Sequence, residues 1–193
     1  MKPIQFMVAL MLAFFSITSC QEDPCDNLLC VNGGICNEGK CDCPEGFGGS
    51  NCNEHLAPLS MRISFVTLTR YPATKDGISW DETNGPDMFF KLYEDTFPIG
   101  KPLDLILDAA ADQLFQFPIS VIEMRNITTK HVMKLWDYEG FNLPPEYMGE
   151  VEFIPFHEES GRPDTLVLDI GGAVAFMIGV TYHYPDASDD VSD

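Results

Sequence analysis

The segment Arg62-Ile-Ser-Phe-Val-Thr-Leu-Thr69 alternates polar residues with β-branched and aromatic ones, which is the pattern of a half-buried β-strand. Turn-forming residues follow it, as at Asn84-Gly85-Pro86, Pro98-Ile99-Gly100 and Ser160-Gly161-Arg162-Pro163. Between them, similar runs recur at 88–93, 103–107, 115–122, 131–136, 148–154 and 173–184. Residues 108–113 are compatible with a helical turn, but no segment has a long 3.6-residue apolar repeat. About seven or eight strands at this spacing predict an all-β domain, a sandwich or a barrel, over residues 59–184.

A dense group of cysteines precedes this domain. The chain has 7 cysteines, and all of them except Cys20 lie between Cys25 and Cys52. A stretch this short cannot bury a core of its own, so it depends on disulfide bonds, each worth roughly 2–4 kcal/mol. The remaining cysteines allow many pairings, and their spacing alone does not choose among them.

The spacing Cys25-x4-Cys30-x5-Cys36-x4-Cys41-x-Cys43-x8-Cys52, with Gly49 before the last cysteine, resembles an EGF-like domain over residues 25–52. The resemblance implies the disulfide bonds Cys25–Cys36, Cys30–Cys41 and Cys43–Cys52. Calcium-binding members of that family carry an acidic pattern before the first cysteine and a later aromatic residue. The segments 21–24 and 37–40 depart from that pattern. We therefore interpret the module as a spacer or contact surface, followed by a polar linker at 53–58.

The N-terminus has the composition of a targeting segment. Residues 1–19 read as a signal peptide, because Lys2 supplies a positive charge and 6–15 form an apolar run. Such a run is shorter than the roughly 20 apolar residues of a membrane-spanning helix. The segment Ile17-Thr18-Ser19-Cys20 resembles the lipobox of bacterial lipoproteins, whose cysteine becomes the acylated N-terminus.

The lipobox resemblance implies a lipid, such as palmitate, on Cys20 and a lipid-anchored N-terminus over residues 20–24. It also implies export to the outer membrane or cell surface of a Gram-negative bacterium. Acylation of Cys20 explains the odd number of cysteines in an exported chain. The alternative is an ordinary secretory signal with a chance cysteine.

The charge of the chain restricts its partners. The 11 Lys and Arg residues stand against 30 Asp and Glu, giving a formal net charge of −19. Such a chain repels phosphates, so we exclude nucleic acid as a partner and expect anionic lipid to bind only through a cation. Residues 185–193 form an acidic tail.

Two acidic stretches interrupt the predicted strands, at 81–87 and 135–151. They resemble the loops of C2 domains, which are calcium-dependent, phospholipid-binding β-sandwiches. The resemblance implies five calcium ligands: Asp81, Asp87, Asp137, Glu139 and Glu146. Calcium prefers such carboxylate oxygens.

The acidic loops also depart from the C2 pattern. Two expected Asp positions are Glu, the spacer before Glu146 is one residue longer, and Asp76 competes with Asp81 for the first position. Loops rich in Asp, Asn and Gly are turn-formers in any case, so solvated carboxylates without a metal are the alternative.

The two resemblances together imply an all-β chain in which a small disulfide-rich EGF-like module precedes a C2-like antiparallel β-sandwich. We expect a membrane-anchored surface lipoprotein that acts as a binding module. Calcium in the acidic loops would bridge to an anionic phospholipid, glycan or protein. The alternative is a calcium-independent structural or interaction subunit of a cell-surface complex. We do not expect an enzyme, because the sequence has no Gly-x-Ser-x-Gly elbow and His157 lacks the second histidine of a zinc helix.

Overall fold

The computed structural model describes residues 23–82, 84–157 and 162–185. The chain divides into two compact units, one ending at His55 and the other beginning at Leu56. All regular elements in the described ranges are β-strands. Those ranges contain no helix of the length and apolarity needed to cross a membrane. The signal peptide at 1–19, the lipid attachment at Cys20 and the tail beyond Pro185 fall outside the described residues.

The first unit is a small disulfide-linked module. Its strands are β1 (Ile35–Asn37), β2 (Lys40–Asp42), β3 (Phe47–Gly48) and β4 (Glu54–His55), paired as β1 with β2 and β3 with β4. Three disulfide bonds join Cys25 to Cys36, Cys30 to Cys41 and Cys43 to Cys52. These are the pairs that the EGF-like spacing implied. Strand β4 lies within the stretch 53–58, so that segment is partly structured.

The second unit contains the remaining strands, which form two antiparallel sheets. They are β5 (Ser60–Arg70), β6 (Met88–Glu94), β7 (Phe97–Gly100), β8 (Phe115–Phe117), β9 (Ile122–Met124), β10 (His131–Asp137), β11 (Glu146–Phe153), β12 (Thr165–Leu168) and β13 (Ala175–His183). One sheet has the order β11-β10-β6-β7. The other has the order β12-β13-β5-β8, with β9 beside β8 on the same edge of β5.

The core lies between these two sheets. Phe90 of β6 packs edge to face against Phe117 of β8 at 5.2 Å and against Phe176 of β13 at 6.4 Å between ring centroids. The ring of Phe90, in the four-stranded sheet, therefore packs against two strands of the other sheet, β8 and β13. The alternation along β6 produces this arrangement, because Met88, Phe90 and Leu92 are fully buried while the residues between them are partly exposed. The predicted all-β sandwich is confirmed.

Several local predictions were wrong. The predicted strand 103–107 forms a single β-bridge, between Ile106 and Met88. It does not extend further because Pro102 has no N–H to donate and Asp108, with a φ of 51°, turns the chain. Residues 108–113 form no helix, since the positive φ values of Asp108 and Asp112 are incompatible with one. The predicted turn at 98–100 is part of β7.

Two further strands differ from the sequence prediction. The predicted strand 115–122 is split into β8 and β9 around Pro118, which lacks the N–H that a continuous ladder needs. Strand β12 was missed because only Leu168 of its four residues is buried, so no alternation marks it.

Candidate functional site at one end of the sandwich

The acidic loops leave the sandwich at the same end. Asp137, the last residue of β10, pairs with Met88 at the start of β6 and with Glu146 at the start of β11. The loop 71–87, which enters β6, and the loop 138–145, which joins β10 to β11, are therefore neighbours. Strand pairing alone brings together the two segments that the sequence marked as acidic.

Asp137 occupies an inward-facing position. Strand β10 alternates with His131, Met133, Leu135 and Asp137 all buried, and the exposed fraction of Asp137 is 0%. Its Oδ1 accepts a hydrogen bond of 2.8 Å from the Asp87 backbone N–H. Its Oδ2 is buried and receives no hydrogen bond from any described residue. A buried charged oxygen without a partner is costly, so this carboxylate is suited to a cation.

The electrostatics of Asp137 reflect this burial. Desolvation raises its pKa from 3.8 to about 6. The hydrogen bond from Asp87 opposes the rise, whereas the charges of Asp81, Glu139 and Asp87 add to it. In the metal-free protein, the ionised form of Asp137 is therefore less stable than that of an aspartate in water.

We call Asp81, Asp137 and Glu139 the acidic triad. One potential ligand atom from each lies within 4.8 Å of the others. Two oxygens bound to one calcium ion at about 2.3–2.6 Å lie at most about 5 Å apart, so the triad fits around one ion. The all-oxygen donor set is also the set that calcium prefers.

The pKa values of the other two members of the triad are also raised. Burial is the first cause of the raised pKa of Asp81, followed by the charges of Asp87, Asp108 and Glu146. Burial also raises the pKa of Glu139, followed by the charges of Glu146 and Asp81. Oε1 of Glu139 is a second buried oxygen without a hydrogen bond among the described residues.

Asp87 lies beside the triad and connects three segments. Its backbone N–H donates to Asp137, its carbonyl oxygen accepts from the Tyr138 N–H at 2.8 Å, and its Oδ1 accepts from the Asp108 N–H at 2.9 Å. Asp87 therefore positions the loops around the triad. Asp87 itself, although predicted as a ligand, is outside the triad.

Glu146 is near the triad but is paired with a cation. Its Oε2 lies 2.8 Å from Nζ of Lys75. That hydrogen bond is the first cause of the raised pKa of Lys75. Asp76, the alternative to Asp81, lies at the turn next to Lys75 with a φ of 53° and is outside the triad.

Sequence reasoning missed two residues of this site, Lys75 and Asp108. Asp108 lies in the segment interpreted as a helical turn, and its carboxylate accepts a hydrogen bond from Asn84. Lys75 precedes Asp76-Gly77, a dipeptide typical of tight hairpins, which is the signal that could have located it.

Aromatic and apolar side chains flank the acidic triad. Trp80 and Trp136 directly precede Asp81 and Asp137, and they are the 2 tryptophans of the chain. Phe141, in the loop between β10 and β11, is 96% exposed, and Leu143 is 61% exposed. The end of the sandwich that carries the carboxylates therefore also presents apolar side chains to solvent.

Comparisons with known proteins give partial matches. No protein-family model matches the chain. An alignment over 49 residues, which covers 23% of the chain, shows 41% identity to the protocadherin-like wing polarity protein stan of Drosophila melanogaster. The stretch spans only 1% of that protein.

Solved structures similar to the chain include C2 domains. One C2 domain has a TM-score of 0.42 and 12% identity, covering 63% of this chain and 97% of that domain. A C2 domain of plant extended synaptotagmin 1 has a TM-score of 0.41 and 19% identity, covering 67% and 98%. Human GIVD cytosolic phospholipase A2 has a TM-score of 0.41 and 12% identity, covering 69% of this chain and 17% of that protein.

Proposed function

We propose that the chain is an exported, lipid-anchored binding module whose β-sandwich binds calcium at the acidic triad. One observation carries the proposal: a fully buried carboxylate oxygen of Asp137 has no hydrogen bond from the described residues and lies among other carboxylates. A bound divalent cation would supply the missing partner and remove the mutual repulsion of the triad.

The partner best supported is an anionic phospholipid surface. The chain carries a formal net charge of −19, so calcium is needed to turn repulsion into attraction. Phe141 and Leu143 lie in the loop that follows Asp137 and are largely exposed. Exposed apolar side chains next to a cation site fit a membrane surface better than a glycan.

Sedimentation with lipid vesicles tests this function. With the Cys20→Ala protein, which lacks the proposed anchor, vesicles of phosphatidylglycerol and phosphatidylethanolamine should pellet the protein with calcium and not with chelator, and vesicles of phosphatidylcholine should not pellet it. Phe141→Ser should weaken pelleting. The matched control is Phe97→Ser, because Phe97 is 72% exposed and pairs with Glu94 at the far end of β6, about 20 Å from the site. Binding that survives chelator would favour the calcium-independent interaction subunit.

The lipid anchor is tested separately. Labelled palmitate should be incorporated into the protein and not into Cys20→Ala, and the variant should leave the membrane fraction. Incorporation that is independent of Cys20 would contradict the anchor while leaving the calcium proposal intact.

A further inference from the structure

The loop that joins β12 to β13 lies at the same end of the sandwich as the acidic triad. Ala175, the first residue of β13, pairs with Arg70, the last residue of β5, after which the first acidic loop begins. Val174 also packs beside Gly149 of β11, since a Cβ added to that glycine would lie 3.0 Å from Cγ1 of Val174. Loop 169–174 is therefore a neighbour of both acidic loops.

Loop 169–174 differs from these neighbours in charge. Its sequence is Asp-Ile-Gly-Gly-Ala-Val, so Asp169 is its single ionisable residue. Arg70 engages that carboxylate with two hydrogen bonds, from Nη1 to Oδ2 at 2.8 Å and from Nη2 to Oδ1. Because the charge of Asp169 is compensated, this loop can approach an anionic surface without a cation of its own.

The same pair of residues fixes the shape of the loop. Nε of Arg70 donates to the carbonyl oxygen of Gly172 at 3.1 Å, and Oδ1 of Asp169 accepts from the Gly171 N–H at 2.9 Å. Ile170 lies between these contacts and is 69% exposed. The exposed side chain is therefore carried by an ordered backbone, which reduces the conformational entropy lost on binding.

Two other loops at this end also present an apolar side chain beside a glycine. Ile78, next to Gly77, is 72% exposed, and Phe141, next to Gly140, is 96% exposed. A Cβ added to Gly77, Gly140 or Gly171 would meet nothing within 4 Å. These apolar residues are thus separate projections and not one packed patch. A protein partner would need a complementary surface for them, whereas a bilayer takes up isolated apolar side chains.

We propose that loop 169–174 is a membrane-contacting loop, in which Ile170 enters the apolar layer of an anionic phospholipid bilayer. The inference rests on the proposed function, since calcium at the acidic triad brings this end of the sandwich to the bilayer. Ile170 then adds a contact that is apolar and not ionic. Burial of an exposed side chain of this size changes affinity by roughly five- to tenfold.

Sedimentation of the Cys20→Ala protein with vesicles of phosphatidylglycerol and phosphatidylethanolamine tests the proposal. In calcium, Ile170→Ser should need roughly five- to tenfold more lipid for half-maximal pelleting. Its calcium dissociation constant without lipid should be unchanged. The matched control is Leu59→Ser, because Leu59 is 63% exposed and precedes β5, about 30 Å from Arg70 at the other end of that strand. This variant should pellet like the parent protein.

A fluorescent label measures the position of the loop directly. With Cys20 replaced and the other cysteines in disulfide bonds, Ile170→Cys provides one thiol for an environment-sensitive fluorophore. On these vesicles in calcium, its emission should shift to shorter wavelengths and be quenched by lipids brominated in their acyl chains. The same label at Leu59→Cys should show neither effect.

Two outcomes would overturn the role of the loop alone. In one, the protein pellets with calcium while the label at Ile170→Cys keeps its emission in water. In the other, Ile170→Ser pellets as well as Leu59→Ser does. If calcium pellets none of the variants, the proposed function itself is contradicted, and this inference with it.

Discussion

Replacing Asp137 by Asn should stabilise the metal-free protein at pH 7. Asn has nearly the shape of a protonated Asp, and its Oδ1 can still accept the hydrogen bond from the Asp87 N–H. The rise of the Asp137 pKa from 3.8 to about 6 corresponds to about 3 kcal/mol of unfavourable free energy when the group is ionised. Asp137 is the last residue of β10, where the adjoining loop can relax around the charge, so about 1–3 kcal/mol is the expected gain.

The sign of the pH dependence follows from the direction of this shift. The folded protein binds the Asp137 proton more tightly than the unfolded chain does. That stabilisation is fully present below pH 3.8 and is lost as the pH rises through about 6. The advantage of Asp137→Asn over the wild type should therefore be greatest at pH 7, fall to about half at pH 5 and nearly vanish at pH 4.

Urea unfolding in chelator, followed by tryptophan fluorescence, measures this difference. Trp80 and Trp136 both lie in the second unit, so the signal reports on the sandwich. The control is Asp164→Asn, the same chemical change at an exposed side chain, which should leave the free energy of unfolding nearly unchanged. The reasoning is refuted if Asp137→Asn is less stable than the wild type at pH 7, or if its advantage grows as the pH falls.

Three further changes test the core of the sandwich, a disulfide bond of the first unit and the turn beside Lys75. Phe90→Ala should lower the free energy of unfolding by about 3–5 kcal/mol in the same assay, because it removes a fully buried ring that joins the two sheets; a loss below about 1 kcal/mol would contradict that packing. Replacing Cys43 and Cys52 together by Ala should make the first unit sensitive to protease, since a bridge in such a module contributes about 2–5 kcal/mol, and unchanged digestion would argue against this role. Gly77→Val should disrupt the turn in which Lys75 and Ile78 exchange backbone hydrogen bonds, and so change the calcium dissociation constant measured by titration, because a β-branched residue is strained at a φ of 85°; Gly77→Asn, which tolerates this φ, is the control.

The sequence predicted the features that depend on local periodicity. The alternation in β6 and β10 is visible in the residues themselves, and so is the acidic residue that ends β10. Its full burial was not predicted, because the predicted strand ended at residue 136, although Asp137 continues the inward row of Met133 and Leu135. The disulfide pairs followed from a spacing that resembles a known module.

Features that depend on contacts through space were not predicted. Lys75 is distant in sequence from Glu146, and only the folded loops bring the two together. Asp108 reaches the site through its backbone bond to Asp87, in a segment whose composition resembles a helical turn. Pro98 misled the prediction of a turn, because proline is acceptable in an edge strand such as β7.

Thermal unfolding with millimolar calcium and with chelator tests the central claim most directly, with wild type and Asp137→Asn side by side. Calcium at about 100 times its dissociation constant should stabilise the wild type by about 2.7 kcal/mol, which raises the midpoint by several degrees. Asp137→Asn should unfold at a higher temperature than the wild type in chelator and gain little from calcium. If calcium leaves the wild-type midpoint unchanged, or raises both midpoints equally, the acidic triad is not a calcium site.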